Sequence, residues 1–111
     1  MNELVERLTQ VQPVVVGGPG ASVGELRRRL TTLGFAFVKF TGTRGGTDLG
    51  VRVDAAATDL GAADFENGTG SVHIEGTLSL DYVKLRCVAD IDLATLSGTG
   101  RVVVLEGAAA R

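Results

Sequence analysis

The most constraining feature of the sequence is an alternation of apolar and polar residues between positions 71 and 93. A period of two over this length predicts two antiparallel strands, each with one buried and one wet face. The turn between them is expected near Leu80 and Asp81, which would place Glu75 opposite Arg86 and Ile74 opposite Cys87. The apolar parity comprises Val72, Ile74, Leu78, Leu80, Val83, Leu85, Cys87, Ala89, Ile91 and Leu93.

A second pattern predicts a helix over residues 23–33. The preceding segment, Ser22-Val23-Gly24-Glu25, matches a capping box, in which the serine accepts from the third helical amide. Val23, Leu26, Leu30 and Leu33 recur at helical spacing, and Gly34 stands where a left-handed residue commonly ends a helix. A shorter helix is expected after Asn2.

Four shorter apolar runs, at 14–16, 35–40, 49–53 and 101–105, read as further strands. A tight turn at Gly45-Gly46 would place Phe40 opposite Val51 and Lys39 opposite Arg52. Residues 55–60 are expected to form a turn of helix. The chain is therefore predicted to be one α+β domain, residues 1–111. One or two helices would pack on an antiparallel, strongly twisted sheet of about five strands. A partly closed β-barrel is the alternative, because the 16 glycines can supply its corners.

Charge and composition argue against several classes of function. With 11 basic and 13 acidic residues, the chain has a formal net charge of -2 and no concentrated basic footprint for nucleic acid. There is no apolar run of the ~20 residues that a membrane span requires. The single cysteine excludes an internal disulfide and favours a reducing compartment. These features predict a cytoplasmic protein that does not associate with membranes.

Three groups of residues resemble ligand sites, but a purely structural role explains each of them better. Gly18, Gly20 and Ser22 could present amides to an anion, but their spacing matches no nucleotide fingerprint. Acidic residues near Asp64 and Asp90 match no calcium loop. Cys87 has the inward parity, which predicts an inert thiol. The sequence therefore predicts neither a cofactor nor a metal site.

The outward face of the predicted hairpin carries the candidate binding residues. His73, the only histidine, shares its parity with Glu75 and Arg86, and Tyr82 and Lys84 complete the set. As weak catalytic candidates, His73 and Tyr82 could serve an isomerase or cyclase.

The favoured interpretation is a non-enzymatic accessory protein that associates with a partner, or with itself, through its sheet. The alternative is a cofactor-free enzyme or binder of a small apolar molecule, with a pocket inside a curled sheet.

Overall fold

The computed structural model describes residues 3–106, the last of them by its backbone alone. Two short helices and seven strands make up this part of the chain. In order, they are α1 (Glu3–Leu8), β1 (Gln12–Val16), α2 (Val23–Arg28) with a π-helical turn (Arg29–Leu33), β2 (Phe35–Phe40), β3 (Thr47–Val53), β4 (Ala63–Asp64), β5 (Thr69–Leu80), β6 (Val83–Asp92) and β7 (Ser97–Glu106).

The antiparallel sheet closes into a six-stranded barrel. Its strand order is β3-β2-β1-β7-β6-β5-β4, and β3 also pairs with β5, which joins the two sides. The prediction of one or two helices with an antiparallel sheet is confirmed, and the barrel matches the alternative rather than the open sheet. Closure rests on two residue pairs, Arg52 with Thr77 and Val53 with Gly76. We call this junction between β3 and β5 the seam.

Gly76 permits the close approach at the seam. A Cβ atom at this position would overlap the carbonyl oxygen of Arg52 and the side chain of Val51. Because any larger residue would push the two strands apart, the closure depends on the absence of a side chain at position 76.

The side chains at the inward-facing positions of the strands fill the barrel interior. Phe40, Ile74, Leu85 and Cys87 are among its fully buried side chains. Both helices add to the same buried cluster, α1 through Val5 and Leu8 and α2 through Leu26 and Leu30. Burial of medium-sized apolar side chains from every layer supplies the main stabilising term.

The β5–β6 hairpin turns at Asp81 and Tyr82, whose φ angles are 50° and 66°. Leu80 therefore pairs with Val83, and Glu75 lies opposite Val88 rather than Arg86. The predicted pairs Glu75–Arg86 and Ile74–Cys87 are wrong by two residues, because two non-glycine residues occupy a turn that glycine usually fills. A shift of two preserves side-chain parity, so both faces are as predicted.

The β2–β3 hairpin also differs from the predicted register. Phe40 pairs with Thr47, and Lys39 pairs with Asp48 rather than Arg52. The loop is longer than two residues, because the Gly46 amide donates to the Thr43 carbonyl at 2.9 Å. Lys39 consequently faces an opposite charge, and the like-charge pair of the predicted register is avoided.

The helical signals at 22 and 34 are confirmed. Ser22 caps α2 by accepting from the Glu25 amide, and Gly34 ends the π-helical turn with a φ of 70°. In that turn the Gly34 amide donates to the Arg29 carbonyl at 2.8 Å. The wider turn leaves Leu33 50% exposed, off the apolar line that its spacing suggested.

Residues 54–62, which we call the strap, run along the edge of β5 that faces away from β6. The Asp54 amide donates to the Glu75 carbonyl at 2.8 Å, and Asp59 exchanges two backbone hydrogen bonds with His73. Where a turn of helix was expected, the strap has one hydrogen-bonded turn around residues 55–57. It thus reaches the outward residues that the sequence singled out.

Candidate functional site

Five charged side chains on the outer face form one connected polar network: Asp54, His73, Glu75, Arg86 and Asp90. His73 lies between two carboxylates, with Nδ1 2.7 Å from Asp90 Oδ1 and Nε2 2.7 Å from Glu75 Oε2. Arg86 donates from Nε to Glu75 and from Nη2 to Asp54, each at 2.9 Å. The network therefore ties the strap to both strands of the hairpin.

The surroundings of His73 favour its imidazolium form. Each ring nitrogen contacts a carboxylate oxygen, so both nitrogens must carry a proton to donate. The hydrogen bond to Glu75, followed by that to Asp90, raises the pKa of His73 above its ordinary 6.5. A ring with both nitrogens protonated and bonded cannot accept a proton, which argues against its use as a general base.

Glu75 is held as a carboxylate by its neighbours. Hydrogen bonds from His73 and then from Arg86 lower the pKa of Glu75, and the bond from Arg86 lowers the pKa of Asp54. The Thr58 hydroxyl adds a contact of 3.2 Å to the Glu75 backbone. The network's contacts are internal, so its evident role is to position the strap.

The stability of the protein should depend on pH through this network. A raised His73 pKa stabilises the fold fully below 6.5 and loses its contribution as the pH rises through the folded value. A lowered Glu75 pKa stabilises the fold above 4.5 and loses its contribution as the pH falls. We expect the urea midpoint to be highest between these two values. His73→Gln should remove the alkaline slope and also reduce the acid slope, because His73 is the first cause of the lowered Glu75 pKa. An unchanged alkaline slope in that variant would contradict the assignment.

The predicted set of five binding residues divides into two groups. His73, Glu75 and Arg86 belong to the network, whereas Tyr82 is 89% exposed at the tip of the hairpin. Along β5, His73 and Leu80 are separated by ~23 Å at about 3.3 Å per residue. Lys84 lies on the tip side, opposite Ser79. His73 and Tyr82 are therefore too far apart to serve one catalytic centre.

The glycine-rich connector makes contacts within the fold. The Gly18 amide donates to Asp48 Oδ2 at 3.0 Å, and the Ser22 hydroxyl accepts from the Glu25 amide at 3.1 Å. Gly20 adopts a positive φ of 68°. The carboxylate of Asp48 already accepts from the Gly18 amide, which an anion would need as a donor. These contacts therefore favour a structural role for the connector over an anion site.

The remaining candidates also have local structural partners. Asp59, Asp64 and Asp92 accept from backbone amides two or three residues later in their loops. Within residues 3–106, no group of three or more His, Cys, Asp and Glu side chains is arranged to hold a metal ion. Burial raises the pKa of the Cys87 thiol to about 12, as expected for an inert core cysteine.

A groove of about 530 Å³ opens at the seam, beyond the last pair that joins β3 to β5. Its floor includes Leu78 and the buried Leu85, and its walls include Phe35 and Leu105. Among the residues that the structure describes, its charged lining residues are Arg52 and Lys84. We call this the seam groove.

The backbone on both sides of the seam groove is left open. Leu80 and Val83 close a two-residue turn, so by alternation the N–H and C=O of Ser79 point toward β3. On the other side, Asp54 at the start of the strap and Arg52 of β3 bond toward β5, and alternation extends this direction to Gly50. In the described chain, however, pairing between these strands ends at Thr77. Gly50 and Ser79 thus face the groove with no ladder bond between them.

Comparison with known proteins adds no assignment. No protein-family model matches the chain, and no curated protein matches its sequence significantly. Among the helices of residues 3–106, none is long and apolar enough to cross a membrane. The interpretation of the site therefore depends on its geometry.

The seam groove was not predicted from the sequence, although one signal pointed to it. Gly50 interrupts the apolar run of β3, and a glycine inside a strand often marks a close approach. In the structure the Phe35 ring lies where a Cβ atom at position 50 would be. Nothing in the sequence indicates which strand edges fail to pair.

Proposed function

We propose that this protein is a non-enzymatic accessory protein that acts by binding another protein chain at the open strand edges of its seam. The observation that carries the proposal is the missing backbone pair between Gly50 and Ser79 beside the seam groove. Unpaired strand edges are established places for an added strand, since main-chain hydrogen bonds supply affinity without a catalytic group.

The other charged features agree with a role in binding rather than catalysis. The polar network satisfies its members internally, and both ring nitrogens of His73 are engaged by carboxylates. The barrel interior is occupied by side chains such as Phe40 and Ile74, and both His73 and Tyr82 lie outside it. The alternative, a small-molecule binder or cyclase with an interior pocket, gains no specific observation.

Replacing Ser79 with proline tests the proposal. Proline removes the N–H that faces the groove, and this amide is not used in the β5–β6 ladder. Ser79→Ala is the matched control, because it removes the hydroxyl and retains the amide. Native mass spectrometry of gently purified protein should show a second chain or whole multiples of the chain mass for the wild type and Ser79→Ala. The proline variant should be monomeric.

Two outcomes of this measurement would contradict the proposal. One is a monomer that carries a few hundred daltons of extra mass, which would indicate a captured small molecule. The other is association that persists in Ser79→Pro with its circular dichroism spectrum unchanged, which would place the interface elsewhere.

A further inference from the structure

The lining of the seam groove restricts what can occupy it. Phe35 and Leu105 are 42% and 54% exposed, so both apolar side chains are accessible to an incoming segment. Between them, the groove reaches the inward residues Leu78 and Leu85. An apolar side chain of an incoming segment would be desolvated on this floor, as the anchor residues of protein interfaces are.

The charge of the groove adds a second restriction. Arg52 is exposed and points outward, and among the described residues no carboxylate lies within salt-bridge distance of its guanidinium. The other charged lining residue, Lys84, is also basic. An arginine at the edge of an apolar groove favours a carboxylate on the occupant, because guanidinium and carboxylate pair through two parallel hydrogen bonds.

The two restrictions apply to neighbouring positions of an extended chain. Leu78 has the inward parity of β5, whereas Arg52 has the outward parity of β3. Successive side chains of a strand point to opposite faces, so a strand added at the seam would direct one side chain inward and the next outward. We propose that the seam groove binds an extended segment of a partner protein in which an apolar residue is followed by an acidic one. This inference rests on the proposed function and specifies its partner.

Fluorescence anisotropy with labelled peptides tests the chemistry of the occupant. The probe is a peptide of alternating valine and glutamate, compared with alternating valine–glutamine and valine–lysine peptides of equal length. Decanoate, an apolar carboxylate without a peptide backbone, is the competitor. We expect the valine–glutamate peptide to bind best. Arg52→Gln should weaken this binding about tenfold, the effect of one charge-assisted contact.

Arg101→Gln is the matched control for the loss of charge. Arg101 is exposed on the outer face of β7, opposite Val88 and outside the lining of the groove. This variant should bind the probe as the wild type does, and the urea midpoints of both arginine variants should match the wild type.

The outcomes separate this inference from the proposed function. Equal binding of the glutamate and glutamine peptides, or an unchanged affinity in Arg52→Gln, overturns the acidic occupant. If Ser79-dependent association is still seen by native mass spectrometry, the proposed function stands without it. Binding of decanoate with no binding of any peptide overturns the extended occupant in favour of a small amphiphile. If the association and all probe binding are absent, both proposals fail.

Discussion

Gly76→Val is expected to open the barrel and lower the free energy of unfolding by about 3 kcal/mol. The added side chain would overlap the carbonyl of Arg52 and the buried side chain of Val51. Neither obstacle is the free end of an exposed side chain, so relief requires β3 and β5 to separate. Urea unfolding followed by circular dichroism measures the loss, and faster amide exchange at the seam should accompany it.

Gly24→Ala is the control for a glycine that meets no obstacle. Gly24 lies within α2, and an added Cβ atom has no neighbour within 4 Å. Because glycine is the less favourable helical residue, this variant should gain up to ~1 kcal/mol. A Gly76→Val protein as stable as the wild type would show that the seam does not hold the barrel closed.

Phe40→Ala is expected to cost ~3–5 kcal/mol, the usual loss for a fully buried aromatic residue. Phe40 heads the fully buried side chains by volume, and its ring is enclosed by the barrel core. Removal of the ring leaves a cavity that a closed barrel cannot readily collapse to fill.

Phe35→Ala is the comparison for Phe40→Ala on the same strand. Phe35 is partly exposed at the seam groove, so its removal should cost under ~1 kcal/mol of stability while weakening binding of the valine–glutamate peptide. The urea midpoints of both variants measure the difference in stability. Equal losses would contradict the assignment of Phe40 to the inward, buried face of β2 and of Phe35 to its outward face.

The parity of the strands could be predicted from the sequence, whereas their registers could not. Alternation assigns a face to each residue, and Ile74, Leu85 and Cys87 are buried as it predicts. Register depends on where the chain turns, and the turn at Asp81 and Tyr82 carries no glycine. Both predicted hairpin registers were shifted by an even number of residues, so the assignment of side chains to faces remained correct.

The polar network was predicted in part for the same reason. His73, Glu75 and Arg86 share the outward parity of one hairpin, so alternation placed them on the same face. Asp54 joins them only because the chain after β3 continues along the edge of β5, and that pairing is a tertiary contact without a local signal. The seam groove could not be predicted from the sequence, because it arises where two strands that are distant in sequence stop pairing.

Because so few residue pairs close the barrel, binding of the proposed partner and folding of this chain would be coupled equilibria. Ten residue pairs join β5 to β6, whereas two join β3 to β5. A strand that hydrogen-bonds across the seam adds pairs at the point where the barrel has fewest. The partner would therefore bind the closed barrel more tightly than the open one, and its binding free energy would appear as added stability of this chain.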